Sequence, residues 1–230
     1  MPSTTSDSRQ TSRWELPVPV VVGLLISLFG APLLGWFDLP HWADATATRS
    51  FLANSLSSWL LVGLVLAIVL YWERRPLTSI GLRAPARSVL AIGLGAGLAG
   101  VLLGLIATGV AVFTLGLEQP ETLSALSRLS LPVQLVIVGT AVVTEEILWR
   151  GYPIERVAEV TGNVWIGAAL SGIVFLAVHF PAWGLVRAIP QAVFTLTIVG
   201  VYVWSRNVVV CILTHSVING IMVLVLPAFL

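Results

Sequence analysis

The sequence predicts an all-α polytopic membrane protein, a bundle of seven transmembrane helices, or eight if the third or the last apolar run is broken. Of its 230 residues, 57% are hydrophobic and 10% are charged, whereas soluble domains average about 45–50% and about 25%. The mean hydropathy is +0.96. The apolar residues form long continuous runs near the roughly 20 residues that cross a bilayer as a helix, without the polar and apolar alternation of a membrane β-barrel.

The predicted spans follow one another with short polar connections. Residues 1–13 are polar, and we expect a disordered cytoplasmic tail there. Residues 14–230 form a single transmembrane domain. The apolar runs are Leu16–Trp36, Phe51–Trp72, Val89–Leu115, Leu131 to about Glu159, Asn163–Phe180, Leu185–Trp204 and Asn207–Leu230.

Arginine placement predicts the orientation, because cytoplasmic loops carry an excess of basic residues. A cytoplasmic N-terminus puts eight arginines inside and three outside. The eight are Arg9, Arg13, Arg74, Arg75, Arg83, Arg87, Arg156 and Arg206, and the three are Arg49, Arg128 and Arg187. We therefore expect an integral cell-membrane protein with the bilayer as its environment. A net charge of +1 argues against a nucleic-acid partner, and one cysteine, Cys211, excludes a disulfide scaffold.

The third run, Val89–Leu115, is rich in glycine. Small residues spaced three or four apart let helix backbones approach closely in lipid. We predict that this helix packs against neighbouring helices through its glycines.

In a chain so poor in charge, ionisable residues inside the membrane are the informative ones. Glu145 and Glu146 stand together at the polar end of the fourth run, and Arg150 follows four residues after the second. That spacing and order favour a helical ion pair between Glu146 and Arg150. The pairing leaves Glu145 as the free carboxylate, although a juxtamembrane charge cluster shows the same pattern.

Two further polar positions lie on later spans. Phe175 and His179 close the fifth run, and His215 shares a helix face with Asn219 in the last one. Alone, His179 is more typical of a headgroup or core residue than of a catalyst. His215 with Asn219 is more typical of helix–helix hydrogen bonding than of chemistry. With a turn near 161–163, the 1.5 Å rise per residue places Glu145 and His179 at similar depth, and His215 reaches the same level if the first hairpin projects into the cytoplasm. Pro153 threatens this alignment because it can kink the first helix.

These three stretches resemble the CPBP family of intramembrane proteases, also called the Abi or CAAX-protease type II family. The family motifs are EExxxR, FxxxH and Hxxx(N/D) on successive helices, and the chain carries all three in that order, between Glu145 and Asn219. The stretch ERRPLTSIGLR at 73–83 also resembles the family. The resemblance covers roughly residues 70–225, with the protease-like core at about 131–225.

The resemblance implies an intramembrane endopeptidase that cleaves a membrane-associated peptide or protein. The matching positions imply an active site of Glu145, Glu146, His179, His215 and Asn219, with Arg150 orienting the carboxylate pair. The residue types allow Glu145 with His179 to deprotonate water, and His215 with Asn219 to stabilise the oxyanion. Zinc held by His179, His215 and one glutamate, with Glu146 the candidate ligand, is the alternative mechanism.

Two other functions fit the same residues. One is a catalytically inactive membrane scaffold or bacteriocin-immunity-type protein of the same fold. The other is a small transporter that uses Glu145 and the histidines as a proton relay. The transporter is disfavoured because the sequence shows neither a repeated half nor paired broken helices.

Overall fold

The computed structural model describes residues 17–36, 47–116 and 128–226, and every regular element within these ranges is helical. The predicted all-α class is thus confirmed there, while the expected disorder of residues 1–13 lies outside the described residues. The α-helices are α1 (Val18–Trp36), α2 (Ala47–Ala67), α3 (Arg87–Leu115), α4 (Leu131–Glu145), α5 (Tyr152–Thr161), α6 (Val164–Ser205) and α7 (Val208–Asn219). There are three π-helical segments in these ranges: Ile68–Trp72 extends α2, Glu146–Gly151 joins α4 to α5, and Gly220–Val225 extends α7. A short 3-10 helix is formed by Leu77–Ile80.

Five helical stretches of the described chain are long and apolar enough to cross a membrane. They are Phe51–Trp72, Arg87–Thr114, Leu131–Thr161, Ala188–Ser205 and Val208–Val225. Two shorter apolar helices, Val18–Leu34 and Val164–Phe180, coincide with the first and fifth predicted spans. The chain is therefore an integral membrane protein, and the count of seven spans, like the side of the N-terminus, stays a prediction.

Helix α6 reverses direction within its length. A methyl group at Gly172 would lie 3.7 Å from Thr195 Cγ2 and 3.8 Å from Val199 Cγ2. In a straight helix, 23 residues would separate Gly172 from Thr195 by about 35 Å. The two halves of α6 consequently lie side by side, in keeping with the separate runs Asn163–Phe180 and Leu185–Trp204 that the sequence predicts.

The glycines of α3 allow close packing against α6 and α7. A methyl group at Gly97 would lie 2.8 Å from Val217 Cβ and 3.0 Å from the backbone oxygen of Thr214. One at Gly104 would overlap the ring of Phe194. Gly95 faces open space. The predicted packing role of this glycine-rich helix is confirmed for the glycines on its inner face.

The turn that the sequence predicts near 161–163 is present, and a second sharp turn joins the runs that end at Trp204 and begin at Asn207. Gly162 adopts a left-handed conformation with φ 71° and ends α5, and the side chain of Asn163 then accepts a hydrogen bond from the amide of Trp165 at the start of α6. Arg206 is left-handed with φ 48° and ends α6. The side chain of Asn207 caps α7 in the same way. These turns align α5, α6 and α7 side by side.

Buried charges fasten the 73–83 stretch to α5. Arg156 is fully buried and binds Glu73 Oε2 through Nε (2.9 Å) and Nη2 (2.6 Å). Tyr152 donates to Glu73 Oε1 at 2.6 Å, and Arg156 also donates to the hydroxyl and the carbonyl oxygen of Ser79. The stretch at 73–83, which resembles the family in sequence, therefore binds α5, the helix that follows the first motif.

A second pair ties α5 to the turn between α6 and α7. The carboxylate of Glu155 accepts two hydrogen bonds from Arg206, one of 2.8 Å to Oε1 and one to Oε2. The Tyr202 hydroxyl also donates to Glu155 Oε1, at 2.7 Å. Hydrogen bonding to Glu155 raises the pKa of the Arg206 guanidinium above its usual value, so the cation persists at any physiological pH.

Candidate functional site

The first motif lies where α4 passes into the π-helical segment. Glu145 is the last residue of α4 and Glu146 the first of the segment Glu146–Gly151. Every residue of this segment is buried, whereas Glu145 is half-buried. The i, i+4 pair of Glu146 and Arg150 thus sits in a widened helical turn, a feature frequent at functional sites.

Pro153 accounts for much of this local geometry. It has no N–H, so it cannot bond the carbonyl four residues back (Trp149) or, in π register, five residues back (Leu148). Hydroxyl groups from two other helices take its place: Ser27 of α1 donates to Leu148 O, and Ser171 of α6 donates to Trp149 O. The helix therefore continues past the proline without leaving these carbonyls unpaired in an apolar interior.

Glu146 forms a buried ion pair with Arg150 and also contacts His215. Glu146 Oε1 lies 2.7 Å from His215 Nδ1 and 3.4 Å from Arg150 Nη1. Because a carboxylate only accepts, His215 Nδ1 is the donor. Glu146 and Arg150 are both fully buried. The expected pairing is present, although no guanidinium nitrogen of Arg150 makes a hydrogen bond to the described residues.

The second motif packs on the first through its aromatic rings. The Arg150 guanidinium carbon lies 4.3 Å above the centre of the Phe175 ring, a cation–π contact. The Phe175 and His179 ring centres are 4.1 Å apart, and Trp149 packs edge-on against Phe175. A continuous chain of contacts therefore links His215, Glu146, Arg150, Phe175 and His179.

The tautomer of His179 follows from its own helix. Its Nδ1 lies 2.7 Å from the carbonyl oxygen of Phe175. A carbonyl can only accept, so Nδ1 carries the proton. In the neutral ring Nε2 is then an unprotonated acceptor, the form that a general base requires.

Two of the sequence-predicted site residues stand apart from this contact chain. Glu145 is half-buried, and its carboxylate makes no hydrogen bond or ion pair within the described ranges. Asn219 ends α7, four residues after His215 and on the same helix face, and its side chain is likewise without a hydrogen bond there. Both groups are thus left for other partners.

A small cavity of about 90 Å³ adjoins His179. It lies between the two halves of α6 and is lined by Leu176, His179, Phe180, Ala188 and Gln191. The sequence pattern did not single out Gln191, nor Ser27 and Ser171. The available signal is the same for all three, a neutral polar residue within an apolar run.

The candidate zinc ligands Glu146, His179 and His215 do not form a metal-binding set. Among the described residues no group of three His, Cys, Asp or Glu side chains is placed to hold a metal ion. The carboxylate of Glu146 already faces both Arg150 and His215. We therefore derive no step through zinc, and zinc binding stays a prediction for metal analysis.

One comparison with known proteins gave a match, and it covers the segment that carries the three motifs. Residues 127–221 match the family described as Type II CAAX prenyl endopeptidase Rce1-like. Curated proteins and solved structures gave no match to the chain. The matched residues contain all three motifs, and the resemblance drawn from those motifs is confirmed: over residues 127–221 the chain matches the Rce1-like type II CAAX prenyl endopeptidases, a peptidase family.

Proposed function

We propose that the protein is an intramembrane endopeptidase that hydrolyses a peptide bond near the end of a membrane-associated, prenylated peptide or protein. The observation that carries this proposal is the 2.7 Å contact between Glu146 of the first motif and His215 of the third. Together with the packing of Arg150 on Phe175, it joins the three motifs in one buried cluster. The match of residues 127–221 to a peptidase family supports the reaction class, and the description of that family supports the substrate class.

In this mechanism Glu145 and His179 activate water. Glu145 is the carboxylate without a partner among the described residues, and His179, whose Nδ1 is bonded to its own helix, leaves Nε2 as the ring nitrogen that can accept a proton. Either group can take a proton from water as its oxygen attacks the carbonyl carbon of the substrate. The C–O bond forms, the carbonyl π electrons move to oxygen, and the proton stays on the base.

His215 and Asn219 stabilise the negative oxygen that results. Because His215 Nδ1 donates to Glu146, Nε2 can also donate only when both ring nitrogens carry a proton, which is the imidazolium form. In that form Nε2–H donates to the oxyanion beside the Asn219 amide. The intermediate then collapses: the C–N bond breaks, and the stored proton passes to the leaving nitrogen to give an amine and a carboxylic acid.

The test uses purified protein in lipid vesicles and a fluorogenic farnesylated CAAX peptide, with the unprenylated peptide alongside. The wild-type protein should cleave the farnesylated peptide at one bond, identified by mass spectrometry. Glu145→Gln should abolish turnover. The control is Glu159→Gln, the same change on the same helical stretch at a carboxylate that is exposed and bound to Arg75.

Two results would contradict the proposal. One is the absence of cleavage of either peptide by the folded wild-type protein, which would favour the non-catalytic scaffold. The other is full turnover in Glu145→Gln, His179→Ala and His215→Ala alike.

A further inference from the structure

The cavity beside His179 has two walls from one helix. Leu176, His179 and Phe180 project from the first half of α6, at positions i, i+3 and i+4 of one face. Ala188 and Gln191, three residues apart, project from the second half. The fold-back of α6 thus brings a glutamine opposite the histidine of the second motif.

Only two of the five lining side chains are polar. His179 uses Nδ1 on its own helix, which leaves Nε2 for the cavity. Gln191 is half-buried, and its amide makes no hydrogen bond to a described side chain or backbone group. An unpaired amide in an apolar setting is costly, and Ala188 and Phe180 give it no polar neighbour. The amide is therefore available to a ligand.

A primary amide matches one chemical group well. Its NH₂ donates to a carbonyl oxygen and its oxygen accepts from an N–H, so it can pair with both halves of a peptide unit. Mostly apolar walls with a few placed polar groups are typical of ligand sites. None of the five residues that line the cavity is a carboxylate, a lysine or an arginine, which disfavours an anionic or cationic ligand.

We propose that Gln191 is a substrate-binding residue that hydrogen-bonds a backbone peptide group of the substrate next to the bond attacked at His179. This inference rests on the proposed function and extends it to a residue outside the three motifs. Gln191 binds the substrate equally before and during the reaction. Its loss therefore raises KM and leaves kcat unchanged.

The variants are Gln191→Leu, which keeps the size of the side chain, and Gln191→Ala. With the farnesylated peptide, each should raise KM about 2- to 10-fold, the effect of one hydrogen bond, with kcat within about 2-fold of the wild-type value. The control is Gln134→Ala, the same change 11 residues before Glu145 on α4, about 16 Å along the helix axis. The control should leave KM unchanged, and thermal unfolding verifies that each variant is folded.

A second measurement separates substrate binding from a general packing role. Peptides with a single ester in place of each amide near the cleaved bond weaken one backbone hydrogen bond at a time. One ester should raise KM for the wild-type protein and have no further effect on Gln191→Leu.

Each outcome is decisive. If the wild-type protein cleaves and all esters behave like amides, or if both Gln191 variants keep the wild-type KM, this inference is wrong and the proposed function stands. If the wild-type protein cleaves no peptide, the proposed function fails and this inference fails with it.

Discussion

Glu146 Oε1 and His215 Nδ1, 69 residues apart in sequence, lie 2.7 Å from each other in the interior of the bundle, where both side chains are almost completely shielded from solvent. Arg150 supplies the balancing positive charge from one turn further along the helix of Glu146. Breaking a buried ion pair leaves the other charge uncompensated. The two adjacent glutamates therefore have different surroundings, since the carboxylate of Glu146 contacts Arg150 and His215 whereas that of Glu145 has no such partner among the described residues.

Replacing each glutamate by glutamine should separate catalysis from stability. Glu146→Gln leaves Arg150 buried without a counter-charge and should lower the free energy of unfolding by about 3–5 kcal/mol. Glu145→Gln should change it by less than about 1 kcal/mol, while turnover is lost. Reversible unfolding in mixed micelles measures both. Equal stability losses in the two variants would contradict the distinction.

The hydroxyl groups that stand in for the missing N–H of Pro153 can be tested by a double-mutant cycle. Ser171→Ala should cost about 1–3 kcal/mol because it leaves Trp149 O unpaired. In the background of Pro153→Ala a backbone N–H returns to that turn, so the same serine substitution should cost about 1 kcal/mol less.

The control for this cycle is Ser57→Ala, which removes a hydroxyl bonded to the carbonyl of Ala53 within its own helix. It should show no coupling to Pro153→Ala. If Ser171→Ala lowers the free energy of unfolding equally in the presence and absence of Pro153, the serine hydroxyl does not replace the missing N–H of the proline.

Two ion pairs of α5 should differ sharply in their contribution to stability. Arg156 and Glu73 are 0% and 4% exposed, while Arg75 and Glu159 are each 39% exposed. Arg156→Ala should lower the free energy of unfolding by about 3–5 kcal/mol. Arg75→Ala should lower it by no more than about 1 kcal/mol, and less in high salt. A comparable loss from both would show that burial of the first pair does not matter.

The inner and outer faces of α3 give a matched glycine pair. Gly97→Ala should destabilise the protein by about 1–3 kcal/mol, because the added methyl group meets Val217 and the backbone of α7. Gly95→Ala, two residues away, meets open space and should cause no loss, since alanine favours helix more than glycine does. Thermal unfolding of the two variants decides the point.

Chelation tests the zinc alternative. Since no set of three ligands is assembled within the described part of the chain, we expect turnover to survive dialysis against EDTA. Metal analysis of protein purified without chelators is the accompanying measurement. One zinc per chain, lost together with activity and restored with it, would overturn the mechanism through Glu145 and His179.

Much of the site follows from local sequence. Glu145, Glu146 and Arg150 stand out because charge is scarce, and the spacing of Glu146 and Arg150 predicts their ion pair, which the structure contains. The turns at Gly162 and Arg206 are likewise local. The exception is Pro153, from which the sequence predicts a kink that could misalign the site. The structure accommodates this proline with a π-helical segment and two serine hydroxyl groups.

An all-helical membrane bundle and three motifs that resemble a peptidase family could be predicted from the amino-acid sequence, because hydrophobic runs and residue spacing are properties of short stretches. Four contacts could not be predicted in this way: His215 binds Glu146, Phe175 lies under Arg150, Ser27 and Ser171 bond to carbonyls of the first motif, and Gln191 lies across the cavity from His179. Each of these is a contact between helices, whose partners depend on how the whole chain folds back in the bilayer rather than on any one segment.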